Sequence, residues 1–119
     1  MVSYKQLNVW QRGMEFVIEV YRLTKLYPKE ELYGLTSQTR RAAVSIPSNI
    51  AEGYTRKHKQ EYIQFLRISF ASGAELETLI LIGKKLRLAP EIEFIKSDKL
   101  LEEIMKMLNK MISSLVAKP

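Results

Sequence analysis

Residues 59–88 read KQEYIQFLRISFASGAELETLILIGKKLRL, and this stretch decides the fold. It contains no proline, and its apolar residues recur every three or four positions, the period of a helix rather than the alternation of a strand. A helix over Lys59–Leu88 would be roughly 45 Å long at about 1.5 Å per residue. Wound at about 100° per residue, Tyr62, Phe65, Leu66, Ser69, Gly73, Leu76, Ile80 and Gly83 make one seam. Ile68, Leu79, Ile82 and Leu86 make a second seam beside it, interrupted by Ser72 and Glu75, while Gln64, Arg67, Ala71, Ala74, Thr78 and Lys85 form a strip suited to water. A surface helix needs an apolar stripe little wider than ~100°, and this one has more. In a lone bundle one seam faces the core and the other stays wet, so the surplus marks an association surface. The expected interface is Ile68, Ser72, Leu79, Ile82 and Leu86, with small Ser72 admitting a close partner helix and Glu75 needing a partner or an edge. The alternative is a helix covered on both sides by a kinked second helix and the termini.

Outward from this rod, Pro28, the Gly34 region, Gly53–Lys57 and Pro90 cut the chain into four long segments without strand character. The first, about Val9 to Tyr27, is expected to be capped by Asn8 with Gln11 completing a capping box, and to be stopped by Pro28. Val9, Trp10, Met14, Val17, Val20, Tyr21 and Leu26 supply its apolar face. The second, about Leu35 to Gly53, has Thr36 or Ser37 as its candidate cap and carries Leu35, Ala42, Ala43, Ile46 and Ile50 on one face. Pro47 lacks an N–H and crowds the Ala43 carbonyl, so a kink or short break is expected around Ser45–Pro47, with Gly53 as terminator. Polar Ser48, Asn49 and Glu52 beside that proline are read as backbone satisfiers rather than as a site. The fourth runs from about Glu91 to Val116, or starts at Ser97, with Ile104, Leu108, Met111, Ile112 and Leu115 facing inward. The whole reads as one all-α domain over residues 1–119, an antiparallel up-and-down four-helix bundle that assembles as a homo-oligomer.

Composition narrows the function. The 119 residues are 46% hydrophobic, enough for a core and too many for a disordered chain. The absence of Cys removes disulfides, thiolate metal sites and a cysteine nucleophile. The opening Met1-Val2-Ser3-Tyr4-Lys5-Gln6 lacks the apolar stretch of a signal peptide, and the best apolar run, Leu79–Ile82, is far short of a membrane span. A cytoplasmic protein with no membrane partner is expected. No phosphate-binding glycine motif occurs, since Gly83-Lys84-Lys85 lies within a helix and lacks the second glycine. His58, the single histidine, sits among Arg56, Lys57 and Lys59 and reads as a solvated loop residue. Glu75 and Glu77 are two apart on a helix and do not face one another, and Glu102–Glu103 fall on a solvent face. Neither pair makes an acid/base dyad or a metal site, so no enzyme, metal or cofactor is expected.

Charge is the informative feature. Nineteen Lys and Arg against thirteen Asp and Glu give +6, a balance that suits polyanionic partners. No acid occurs from Leu32 to Ala51, where Arg40 and Arg41 lie. Arg56, Lys57, His58 and Lys59 follow at one turn, flanked by Tyr54 and Tyr62. Cations there can neutralise phosphates and a ring can stack on an unpaired base; the competing reading is a solubilising turn with Tyr62 in the core. Lys84, Lys85 and Arg87 end the third helix, where cations also complement the dipole. Oligomerisation favours the nucleic-acid reading: five copies would carry 5 × 6 = +30.

The run Leu35-Thr36-Ser37-Gln38-Thr39-Arg40-Arg41-Ala42-Ala43-Val44-Ser45-Ile46-Pro47-Ser48-Asn49-Ile50-Ala51-Glu52-Gly53 resembles the signature of the bacterial "four helix bundle protein" family. Its members include proteins encoded in intervening sequences of large-subunit ribosomal RNA genes. Leu7–Gln11, Glu61–Leu66, Ala74–Thr78 and Met107–Ile112 match as well, so the resemblance covers nearly the whole chain. It implies an up-and-down bundle assembling as a barrel-like homopentamer. It also implies kinship with the accessory variability protein of diversity-generating retroelements, which binds nucleic acid and partners a reverse transcriptase through a basic surface. The family supplies no catalytic residues. Arg40, Arg41, Arg56, Lys57 and Lys59 lie in the matching basic stretch as candidate RNA or DNA contacts, beside Lys84, Lys85 and Arg87. The expected function is a non-enzymatic, oligomeric, RNA-binding accessory protein; the rival is a protein scaffold, for example for a reverse transcriptase, whose charge is incidental.

Overall fold

The connectors dictate the topology: the middle one has two residues, and the outer two, of twelve and nine residues, are partly wound into short helical turns, so none carries a rod some 40 Å long across its neighbour. In the computed structural model, which describes residues 3–118, α1 (Asn8–Thr24), α2 (Ser37–Arg56), α3 (Lys59–Lys85) and α4 (Ile95–Ala117) pack in ring order, with α4 closing on α1. Met1, Val2 and Pro119 of the expected 1–119 domain lie outside the described residues. The bundle measures 48 × 20 × 20 Å, and no strand occurs among the described residues. Phe16, Leu23, Ile46, Ile50, Leu66, Leu76, Phe94 and Ile104 are fully buried along its axis. Each such side chain contributes about 1.5–3 kcal/mol of burial, which is why the seams rather than local propensity set the packing.

The inward seam of α3 is the expected one, with Leu66, Ser69, Gly73, Leu76, Ile80 and Gly83 buried. The second seam is divided. Leu79 is 7% exposed and belongs to the core rather than to an outer interface, and Ser72 is half-buried with its Oγ 2.6 Å from Ser45 Oγ of α2. Ile68, Ile82 and Leu86 stay exposed. The cause is the close approach of α2, where Ser69 Oγ donates to the Ile46 carbonyl at 3.1 Å and Gly53 lies against Phe65. A Cβ on Gly53 would sit 2.6 Å from Phe65 Cβ, so this glycine is a contact residue in mid-helix and not the terminator. α2 continues to Arg56.

Pro47 does not break α2 either. The helix is unbroken from Ser37 to Arg56, with the Pro47 ring against Gly13 of α1 and Asn49 Nδ2 donating to the Ser45 carbonyl at 2.7 Å. The irregular backbone lies earlier, in the π turn Leu32–Thr36, where Gly34 adopts φ −117°, ψ −110°. That turn feeds helical geometry into Ser37, so neither Thr36 nor Ser37 caps the helix with its side chain.

Other termini differ for related reasons. Leu7, not Asn8, holds the α1 cap position; the capping box lies one turn earlier, where Ser3 Oγ accepts from Lys5 N and Gln6 Oε1 accepts from Ser3 N. Gln11 instead donates to the Lys5 carbonyl. α1 buries Val9, Gly13, Phe16, Val20 and Leu23, whereas Met14, Tyr21 and Leu26 of the expected face are exposed. Pro90 begins a 3-10 turn, Glu91–Phe94, before α4, and the buried Ser97 hydroxyl donates to the Phe94 carbonyl rather than capping. α1 and the 3-10 turn before α4 are tied by Arg22, which grips the buried Glu19 carboxylate (2.6 Å) and reaches Glu93 (2.9 Å). Those hydrogen bonds, Glu19 first, hold the guanidinium further above its already high pKa.

Candidate nucleic-acid interface

The α2–α3 reversal takes two residues. Lys57 adopts the left-handed conformation (φ 60°, ψ 24°) and His58 is extended (φ −124°, ψ 125°), its carbonyl accepting the Tyr62 N–H at 2.9 Å. The turn leaves Lys57 and His58 exposed. Arg56 is engaged: its guanidinium bonds Glu52 (3.0 Å) and Glu61 (3.2 Å) and lies 5.1 Å from the Phe65 ring centre. The hydrogen bond to Glu52, foremost, raises its pKa. Lys59 Nζ donates to the Lys118 carbonyl across the end of α4. Tyr54 and Tyr62 stand edge to face, 5.8 Å apart at 84°. Tyr62 is half-buried, and burial, then the neighbouring Tyr54, raises its pKa.

The opposite end of the bundle holds the second basic group. Leu88 N donates to Gly83 O and Arg87 N to Lys84 O, both at 3.0 Å, the paired bonds of a Schellman ending. Arg87 occupies its left-handed position (φ 56°), where glycine is the usual choice. Lys84 pairs with Asp98, while Lys85 and Arg87 are exposed. Arg40 Nε donates to Thr24 Oγ1 at 2.8 Å and its guanidinium lies 4.4 Å over the Tyr21 ring. Arg41 beside it is exposed. Among the described residues, no carboxylate lies within ion-pair range of Arg41, Lys57, Lys85 or Arg87.

The basic stretch that looks continuous along the sequence is therefore split. Arg40 and Arg56 are sixteen positions apart on one helix, about 24 Å at 1.5 Å per residue. Arg40 and Arg41 belong to the end with Lys84, Lys85 and Arg87; Arg56, Lys57 and Lys59 belong to the other. Tyr4, which lies on the 3-10 turn Tyr4–Gln6 beside Lys57 and Lys59, was not singled out by the sequence. A lone aromatic residue ahead of the first periodic segment carries no pattern that could have flagged it.

Among the described residues no group of three His, Cys, Asp or Glu could hold a metal ion, and no helix is long and apolar enough to cross a membrane. Fold and surface together define a basic, all-helical four-helix protein. The chain belongs to the 23S rRNA-intervening sequence protein family, whose profile matches residues 5–110. Among solved structures it is similar to a protein of unknown function from the S23 ribosomal protein family of Bacteroides thetaiotaomicron VPI-5482. That likeness has a TM-score of 0.81 at 22% identity and covers 88% of this chain and 95% of the other, a likeness of fold. No curated protein matches the chain in sequence. Neither the family nor the solved neighbour is described as catalytic.

Proposed function

We propose that this chain is a non-enzymatic, cytoplasmic, homo-oligomeric protein that binds RNA through phosphate contacts with little base readout. The observation that carries the reading is the exposure of Lys57, Lys85 and Arg87 at helix ends without carboxylate partners among the described residues, in a chain of net charge +6. Arg22, Arg56 and Lys84, by contrast, sit against acids. Membership of a family named for an rRNA intervening sequence is compatible with an RNA ligand. The partly exposed Ile68, Ile82 and Leu86 supply an apolar strip for self-association, with a pentamer as the proposed assembly. Self-association multiplies the phosphate contacts, and with them the affinity and its salt dependence.

Filter binding of a structured RNA between about 50 and 200 mM salt tests this, with a steep loss of retention expected. Retention that is absent, or indifferent to salt, rejects the reading. Light scattering with and without RNA tests the assembly, and a monomer at micromolar concentration rejects it. The second reading, a scaffold for another protein such as a reverse transcriptase, is favoured by the exposed Tyr33, Ile92 and Ile95. It predicts capture of that protein without RNA.

A further inference from the structure

The α2–α3 turn and the N-terminal 3-10 turn enclose a cleft of about 570 Å³ whose walls are mostly apolar. Tyr4, Tyr54 and Tyr62 line it, Lys57 and Lys59 are its cationic lining, and His58 lies between them. The rings are braced: Tyr54 and Tyr62 stand at 84° to one another, and Tyr4 packs edge-on against Trp10 at 5.5 Å and 67°. Among the described residues, no acid lines this cleft. The two nearest carboxylates on the turn, Glu52 and Glu61, are drawn to Arg56. By contrast, the basic cleft at the other end includes Glu91 in its wall and offers no aromatic ring. Lys59 is shared with an adjoining polar cleft lined by Gln60, Gln64, Arg67 and Lys118, so cations continue beyond the rings along one path.

We propose that this cleft takes an unpaired nucleobase of RNA, stacked among the tyrosines, while the flanking phosphates lie on Lys57 and Lys59 and continue towards Arg67. The inference rests on the RNA-binding reading above and adds strand selectivity to it. A flat π-face matches ring walls whatever the base, and the volume lies within the range of small-ligand sites. An apolar peptide side chain would fit the rings but leave the acid-free cationic edge unused, whereas a nucleotide uses both. A base held in a duplex cannot enter, because its faces are already stacked.

The test uses the full chain, a single-stranded oligoribonucleotide carrying one 2-aminopurine, and the same strand paired with its complement. Wild type is expected to quench the 2-aminopurine of the single strand and to bind it more tightly than the duplex. Tyr54→Leu is expected to weaken single-strand binding about tenfold or more and to abolish the quenching. It leaves the duplex affinity and the salt slope unchanged, and Tyr54→Phe restores the single-strand preference. Lys57→Ala is expected to weaken both forms and flatten the salt dependence. Helical circular dichroism of each variant reports folding, and Tyr4→Leu, at a second wall, repeats the test if Tyr54→Leu unfolds. Salt-sensitive RNA binding without quenching or single-strand preference overturns the base cleft and leaves the RNA-binding reading standing. No binding to either RNA overturns both.

Discussion

Replacing Lys57 by glycine separates two things that one residue does at the α2–α3 turn. Its backbone is left-handed, at φ 60° and ψ 24°, and an L-residue there forgoes about 1–2 kcal/mol. Glycine adopts that conformation freely but loses more freedom on folding, which returns about 0.5–1 kcal/mol of the gain. The net expectation for Lys57→Gly is a stabilisation of about 0.5–1 kcal/mol, or a rise in Tm of about 2–5 °C for a domain of this size. Lys57→Ala keeps the strained backbone and is expected to melt close to wild type. Both variants lose the same exposed charge, so both are expected to bind RNA more weakly and to lower the slope of log affinity against log salt by about 1 per engaged subunit. Thermal melts by circular dichroism and filter binding over a salt series read the two effects independently. A glycine variant that melts no higher than the alanine variant refutes the backbone argument. Unchanged RNA affinity in both variants refutes the assignment of Lys57 as a contact, whatever the melts show.

Three further perturbations probe the packing. The Tyr27 hydroxyl is buried without a hydrogen-bond partner among the described residues, and Tyr27→Phe is expected to stabilise the fold by up to about 1–2 kcal/mol. Burial pushes the Tyr27 pKa up from 10.0 to about 12. The fold keeps the neutral phenol, so this contribution is whole below pH 10 and is lost as pH climbs towards 12. The loss is on the order of 1 kcal/mol by pH 11, in urea melts where Tyr27→Phe is spared it. Gly53→Ala is expected to cost about 1–3 kcal/mol because its Cβ would meet Phe65 at 2.6 Å. Gly13→Ala, with its nearest neighbour at 3.4 Å, is expected to be neutral or to gain up to about 1 kcal/mol from helix propensity; equal Tm changes in the two would refute the contact argument. Arg22→Ala leaves the Glu19 carboxylate, 3% exposed, with Lys96 at 4.0 Å as its remaining ion-pair partner among the described residues, and is expected to cost about 3 kcal/mol. Arg12→Ala, whose partners Glu15 and Glu103 are about half exposed, is expected to cost under about 1 kcal/mol by chemical denaturation.

The existence of four helices and the inward faces of α2, α3 and α4 were legible because a 3.6-residue period survives any amount of local irregularity. The face of α1 was legible only in part: Val9 and Val20 are buried and Trp10 and Val17 pack against the core, while Phe16 and Leu23 fell outside the expected face. Its apolar residues fall on two stripes, and the buried one, Val9–Gly13–Phe16–Val20–Leu23, includes a glycine that adds no hydrophobic signal yet lies against Pro47. Gly53 and Pro47 misled in the same way: each has a strong local meaning, as terminator or breaker, and in each case contact with a neighbouring helix uses the residue instead. Tertiary packing outweighs a local backbone preference when that preference is worth about 1–3 kcal/mol and several buried side chains depend on the helix continuing. The left-handed Lys57 and Arg87 were invisible for the converse reason, since nothing in a lysine or an arginine announces a position that glycine usually takes.

The same physics reorders the charges. A run of cations along a helix is drawn out at about 1.5 Å per residue, so Arg40 and Arg56 end up far apart though no acid but Glu52 lies between them. A tight turn does the opposite and gathers residues from two helices and a terminus. Tyr4 therefore meets Tyr54 and Lys59 across some fifty positions of sequence, and the smallest unit that can recognise a polyanion here is an end of the bundle rather than a segment of the chain. Neutralising one end should then leave the other end's contribution to RNA affinity intact. A loss at one end that abolished binding altogether would mean that the ends act on a single ligand, which a rod 48 Å long allows only for an RNA that spans it.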